Sequence, residues 1–248
     1  MRGRIGPLSE MKKLDRIAKE YRTPDAGRRV DQKLIRLIVE ETIPGMRGPE
    51  ILEMGAGDDQ WTQRVIEQFG HSHLLDGSQT LIRAAEKKYG VKLTAYHSLF
   101  EEFKPQKQFD TIISSLVLEH VANPTAVLRA ASTWLKPDGR ITVIVPHADS
   151  LHRRLAVAMG LLRRTSGLGP SDIQLGHRWV FTIPQIEAAI AGAGLHIRRK
   201  RGLLSKPLPQ AMMTGFSDAL LEGLMKLGSE LPMEYACCVS FDCRRRRA

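Results

Sequence analysis

The stretch of this chain best suited to hold a ligand is Glu53-Met54-Gly55-Ala56-Gly57-Asp58-Asp59, followed by Asp76 nineteen residues past Gly57. Glycines at the end of a strand let the backbone approach a ligand closely. A carboxylate at the tip of the next strand can hold a pair of ribose hydroxyls. The spacing therefore points to an adenosine-type ligand. A dinucleotide fingerprint calls for a third glycine at position 60, where this chain has Gln60. Asp58 and Asp59 add two negative charges at a helix N-terminus, which suit the helix dipole but repel a phosphate. A ligand with no phosphate and a positive centre fits better. S-adenosylmethionine, with its sulfonium and ammonium groups, meets both conditions.

The elements around the turn repeat a simple pattern. Short apolar runs at 51–54, 72–75, 93–96, 109–114 and 140–145 alternate with amphipathic helical stretches at 60–68, 79–89 and 126–134. The alternation predicts a mostly parallel, doubly wound α/β sheet with ligands at the carboxyl ends of its strands. Lys136-Pro137-Asp138-Gly139 reads as the turn that opens the fifth strand. Three zones of one domain emerge: a basic helical zone over 1–47, the alternating core over 48–146, and a less regular zone over 147–248 with helical stretches at 150–162, 183–193 and 216–227. In the first zone Leu34, Ile35, Leu37 and Ile38 mark an apolar helix face, and Pro44-Gly45 stops that helix.

Taken in order, Glu53-x-Gly55-x-Gly57, Asp76, Phe109-Asp110-Thr111-Ile112-Ile113, Leu118-Glu119-His120-Val121 and Leu135-Lys136-Pro137-Asp138-Gly139 resemble a class I S-adenosylmethionine-dependent methyltransferase over roughly 48–146. The region after the core resembles a bacterial subgroup acting on small molecules. The resemblance implies a Rossmann-like seven-stranded sheet of order 3-2-1-4-5-7-6 with strand seven antiparallel. Residues 195–201 would be strand six and 235–243 strand seven. The helical insert between them departs from the family and is expected to face substrate, an interface or the core. The N-terminal helices and the segment after strand five would form lids.

Carried over by position, the resemblance implies that Glu53, Gly55 and Gly57 line the methionine part. Asp76 would take the ribose hydroxyls beside Gly77 and Ser78. Ser98, Leu99 and Phe100 would contact adenine, and Ser115 and Leu116 would lie under the sulfonium. Tyr21 could pack on the sulfonium, and Arg28 or Arg29 could pair with the methionine carboxylate; a solvated basic helix is the plainer alternative for each.

A sulfonium methyl is already activated, so the protein must align nucleophile, carbon and sulfur and exclude water. A base helps when the acceptor is a hydroxyl or a protonated amine, and histidine titrates in the working range. His120, His147 and His152 are the candidates, each with packing as its alternative. His147 also departs from the subgroup, where Asn is common. Arg153, His177 and Arg178 are candidate substrate contacts, the arginines suiting an acidic group. No metal site is expected: His147 and His152 lack a ligand spacing and no thiol lies near them in sequence.

Composition sets limits on the rest. Of 248 residues 42% are hydrophobic and 26% charged, as in ordinary globular proteins. No apolar run is long enough for a membrane span, and the first ten residues lack a secretory core, so a cytoplasmic protein with no membrane partner is expected. Three cysteines near the C-terminus form no disulfide or zinc pattern. The net charge of +10 gathers in the flanks, which raises a nucleic-acid methyltransferase as one alternative. The Ser114-Ser115-Leu116-Val117 loop has neither paired prolines nor a stacking aromatic, which argues against nucleic acid as the partner. A non-enzymatic cofactor-binding module is the other alternative. The reading that stands is methyl transfer from S-adenosylmethionine to an oxygen or nitrogen of a small molecule, by a monomer or homodimer.

Overall fold

Apolar side chains on both faces of five short strands force a sheet covered on both sides. In the computed structural model, which describes residues 7–20, 26–203, 206–209 and 212–246, that sheet has seven strands in the order β3-β2-β1-β4-β5-β7-β6. The strands are β1 (Ile51–Met54), β2 (Ser72–Asp76), β3 (Leu93–His97), β4 (Phe109–Ser115), β5 (Leu135–Pro146), β6 (Leu195–Leu203) and β7 (Cys238–Arg245). The first five pair in parallel, and β7 runs antiparallel to both β5 and β6. The expected order and the reversed seventh strand are both present.

Alternation divides the core between the two faces. Leu52, Ile112, Val143 and Phe241 turn one way, toward helices α5 (Pro124–Thr133) and α8 (Ile183–Gly192). Ile51, Ile113 and Ile144 turn the other way, toward α2 (Ala26–Thr42) and α3 (Gln60–Phe69). Helix α4 (Gln79–Tyr89) covers β2 and β3, and Ala18 of α1 (Pro7–Glu20) joins that cluster. Helix α2 stops at Thr42, and Ile43–Gly45 form a 3-10 turn, as Pro44-Gly45 predicts.

Three local expectations shift. The fifth strand begins at Leu135, so the Lys136–Gly139 turn lies inside its span. Strand β7 starts at Cys238 because Met233–Tyr235 wind into a 3-10 turn. The insert before β7 folds as α9 (Asp218–Glu230), which buries Leu221 and Met225 with Val30 and Leu34. Arg29–Asp218 (2.8 Å) and Lys33–Glu222 (2.6 Å) ion pairs tie α9 to α2. Of the three expectations for the insert, the core reading describes its packing. All three cysteines are buried and free.

After β5 the chain forms α6 (Leu151–Ala158) and the short α7 (Pro170–Gln174), where sequence reading placed one longer helix and a loop. Among the described residues no helix is long and apolar enough to cross a membrane.

Candidate functional site

At the carboxyl end of β1 the chain turns through two left-handed glycines, Gly55 (φ +82°) and Gly57 (φ +47°). They differ in what surrounds them. A Cβ on Gly55 would lie 2.8 Å from Val117 Cγ2, whereas nothing lies within 4 Å of one on Gly57. Gly55 therefore admits Val117, and Gly57 borders open space. The tip of β2 is pinned to this turn by Asp76. One oxygen of Asp76 accepts the Ala56 N–H at 2.7 Å and the other accepts the Ser78 N–H at 2.6 Å. Both oxygens keep a lone pair for ribose hydroxyls.

The crevice is rich in carboxyl groups. Glu53 is buried and accepts a hydrogen bond from the Thr62 hydroxyl. Burial raises its pKa well above the ordinary carboxyl value; the Thr62 hydrogen bond opposes this, and the charges of Asp58, Asp59 and Asp76 add to the rise. Burial also raises Asp58 and Asp76. A cation here would relieve that mutual repulsion and an anion would worsen it. A sulfonium and an ammonium fit the residues present. The N-cap residue of α3, Asp59, does not cap it through its side chain. Asp59 is left-handed (φ 64°) with no capping bond and pairs with Lys88 at 3.0 Å, while Asp58 accepts from Gln60 at 2.6 Å.

Ser98 donates its N–H to the Asp76 carbonyl at 3.1 Å, which sets the turn after β3 beside the tip of β2. A Cβ on Gly77 would meet Leu14 of α1 at 2.5 Å and Leu99 at 3.1 Å. Phe100 leans on the main core. Asp15 of α1 accepts from the Ser78 hydroxyl (2.7 Å) and the Thr80 N–H (3.0 Å). Helix α1 thus packs against Gly77, Ser78 and Thr80 at this end of the crevice. Tyr21 lies outside the described residues, as does the side chain of Arg28. Arg29 is committed elsewhere, to Asp218 and the Phe216 carbonyl.

At the end of β4, Ser115 still pairs with Ile144. Leu116 holds a left-handed φ of 55° while donating its N–H to the Ile144 carbonyl at 2.9 Å. This strained corner turns the chain back over the glycines and presents Glu119 and His120. The same helix α1 that touches Gly77 through Leu14 touches Gly176 through Ile17, one turn later. Glu10 of α1 also pairs with Arg178 at 3.0 Å. The crevice and the 176–178 segment therefore lie under one helix.

In that segment the structure assembles a cluster. Ligating atoms of Glu119, His120 and His177 all lie within 4.8 Å of one another. The two imidazoles meet edge to face with centroids 4.7 Å apart. His177 Nδ1 bonds Asp172 at 3.0 Å, and the His120 ring bonds the backbone at Gly176 and Leu175. Each histidine is thus oriented by a partner behind it. Glu119 Oε2 is buried with no hydrogen-bond partner. Burial lifts the Glu119 pKa to about 7 and lowers that of His120 to about 3. The donor set, two imidazoles and a carboxylate, is one that divalent transition metals accept.

The remaining candidates occupy other places. His147 is 1% exposed; its N–H donates to the Cys237 carbonyl (2.9 Å) and its Nδ1 faces the Ala236 carbonyl (3.3 Å), so it fastens β5 to the start of β7. Burial, with Lys206 and Arg153 nearby, pushes His152 down to about 2, and its Nδ1 is buried without a partner. Arg153 donates to the Thr165 carbonyl (2.6 Å), the Gly167 carbonyl and Asp172 (3.1 Å). Its donors brace the loop rather than extend toward a substrate. Sequence reasoning did not single out Glu119 or Asp172. Glu119 stood inside a quoted motif, but nothing in its spacing to His177 or Asp172 signals the contact.

A family model of the methyltransferase domain matches residues 21–200. The chain is 26% identical over 228 residues to the ubiquinone biosynthesis O-methyltransferase of Maricaulis maris (strain MCS10), covering 85% of this chain and 89% of that protein. A crystal structure of an S-adenosylmethionine-dependent methyltransferase from Mesorhizobium loti superposes with a TM-score of 0.61 at 19% identity, covering 84% of this chain and 96% of that one. The plantazolicin methyltransferase BamL, solved with S-adenosylhomocysteine, superposes with a TM-score of 0.56 at 17% identity, covering 94% of this chain and 90% of that one. Together with a crevice built for a cationic adenosine ligand, these matches show that the chain belongs to the methyltransferase-domain family and is an S-adenosylmethionine-dependent methyltransferase.

Proposed function

We propose that the methyl acceptor is a hydroxyl of a small molecule and that the Glu119–His120–His177 cluster receives its proton. The observation that carries this reading is the meeting of three proton-accepting groups within 4.8 Å, under the same helix that covers the crevice. A hydroxyl is a poor nucleophile until it loses its proton, and removal can accompany in-line attack on the sulfonium methyl. Asp76 and Ser78 hold the adenosine end, Glu53 faces the charged end, and α1 excludes water. Likeness to an O-methyltransferase over most of both chains supports oxygen over nitrogen. Of the three candidate bases only His120 belongs to the cluster, and burial lowers its pKa to about 3, so the proton passes to Glu119 or His177 beside it; the packing of His147 and His152 supports structural roles for them.

A second reading shares these residues. Glu119, His120 and His177 would hold a divalent cation, and when bound it would lower the pKa of an acceptor hydroxyl. The oriented imidazoles and the unpartnered Glu119 oxygen favour it. The test offers labelled S-adenosylmethionine with matched hydroxyl and amino aromatic acids, with and without chelator. Label on the hydroxyl compounds alone is expected. Label on the amines alone would overturn the oxygen assignment, and loss of turnover with chelator would select the second reading.

A further inference from the structure

The segment from α6 through α7 turns its polar groups inward and its apolar side chains outward. Arg153, 8% exposed, is the hub, and it engages Thr165, Gly167 and Asp172. Asp172 also accepts the Gly169 N–H at 2.8 Å, and Thr165 donates to Asp149 at 2.8 Å. The acids are thereby used internally. Much of what remains outside is apolar: Leu151, Met159, Leu161, Leu168 and Ile173 are exposed, Leu161 by 57% and Ile173 by 66%. One exposed leucine needs no explanation, but five large apolar side chains on one short lobe do.

The apolar residues are interleaved with Arg154, Arg163 and Arg164, all exposed. Apolar contact and positive charge are thus both offered by this one lobe. We propose that this lobe docks on an anionic bilayer surface, its leucines and Ile173 entering the interface and its arginines meeting lipid phosphates. Charge selects the bilayer over a second copy of the chain, since a twofold contact through this lobe would set arginines against arginines. The lobe also carries Asp172, which orients His177, so a bilayer at this face would lie beside the acceptor cluster.

The test uses the full chain without cofactor or acceptor, so its result is independent of the methyl-transfer reading. Sedimentation is compared with vesicles of phosphatidylcholine alone and of an equimolar mixture with phosphatidylglycerol. Binding to the mixed vesicles is expected. It should weaken about 25-fold in R163Q/R164Q, at roughly fivefold per charge, and should be lost in L161Q/I173Q. Both variants should keep the wild-type melting temperature and affinity for S-adenosylhomocysteine. Three results would overturn the proposal: wild-type protein that ignores mixed vesicles, variants that bind as tightly as wild type, or an L161Q/I173Q change that abolishes a dimer while vesicle binding persists.

Discussion

Gly55→Ala should injure the protein in two separable ways. The residue sits at φ +82°, a region that costs an L-residue about 1–2 kcal/mol. Its new Cβ would also lie 2.8 Å from Val117 Cγ2. Val117 is buried and stiff at χ1, and it sits between the left-handed Leu116 and the fully buried Leu118, so it yields poorly. Overpacking of this kind costs about 1–3 kcal/mol. The single variant should therefore lose about 2–5 kcal/mol of unfolding free energy. Val117→Ala alone removes two methyl-sized groups and should lose about 1.5 kcal/mol.

The double variant keeps the backbone cost and the lost burial but removes the overlap. It should be more stable than the sum of the singles predicts, by about 1–3 kcal/mol. Gly57→Ala serves as an internal control, because nothing lies within 4 Å of its Cβ and only the backbone cost applies. Urea unfolding of all four variants supplies the numbers, and calorimetry with S-adenosylhomocysteine shows whether the crevice survives. Additivity of the Gly55 and Val117 changes within about 0.5 kcal/mol would refute the contact as the reason for glycine at position 55.

Other outcomes follow from the same geometry. Asp76→Ala removes the acceptor for two buried N–H groups; it should cost about 1–3 kcal/mol per orphaned donor and abolish S-adenosylhomocysteine binding by calorimetry. His177→Ala should lower kcat by about 100-fold or more with cofactor affinity unchanged; an equal loss in both would move His177 into the cofactor site. Burial tends to raise the Asp15 pKa, but the hydrogen bonds from Ser78 and Thr80 outweigh it and leave the carboxyl below its ordinary 3.8. A lowered folded value stabilises above the unfolded pKa and loses that contribution as pH falls through the folded one. Hydrogen exchange in α1 should therefore quicken only below about pH 4, and Asp15→Asn should remove that acid sensitivity.

The glycine turn and its link to Asp76 were legible because their logic is local. Gly55, Gly57 and Asp76 belong to one strand–turn–helix–strand unit, and the two N–H groups that hold Asp76 come from Ala56 and Ser78. The sheet order was legible too, as an implication of the family resemblance that the motifs carry. Helix α9 was readable as a helical stretch, yet nothing in its own sequence said that Leu221 and Met225 would cover the same face as Leu34.

The proposed acceptor cluster depends on contacts between distant segments. Glu119 meets His177 because Ile17 packs on Gly176 and the Glu119 carbonyl accepts the Arg178 N–H at 2.6 Å, and no spacing rule encodes either contact. Arg153 illustrates the same limit. A guanidinium offers the same donors to a substrate carboxylate and to backbone carbonyls. Only burial and the presence of Thr165, Gly167 and Asp172 around it decide which it meets. Its commitment inward also has a consequence outward. Satisfying the loop's polar groups from within leaves Leu161 and Ile173 as the surface, so the residue first read as a substrate contact is the one that shapes the lobe's apolar exterior.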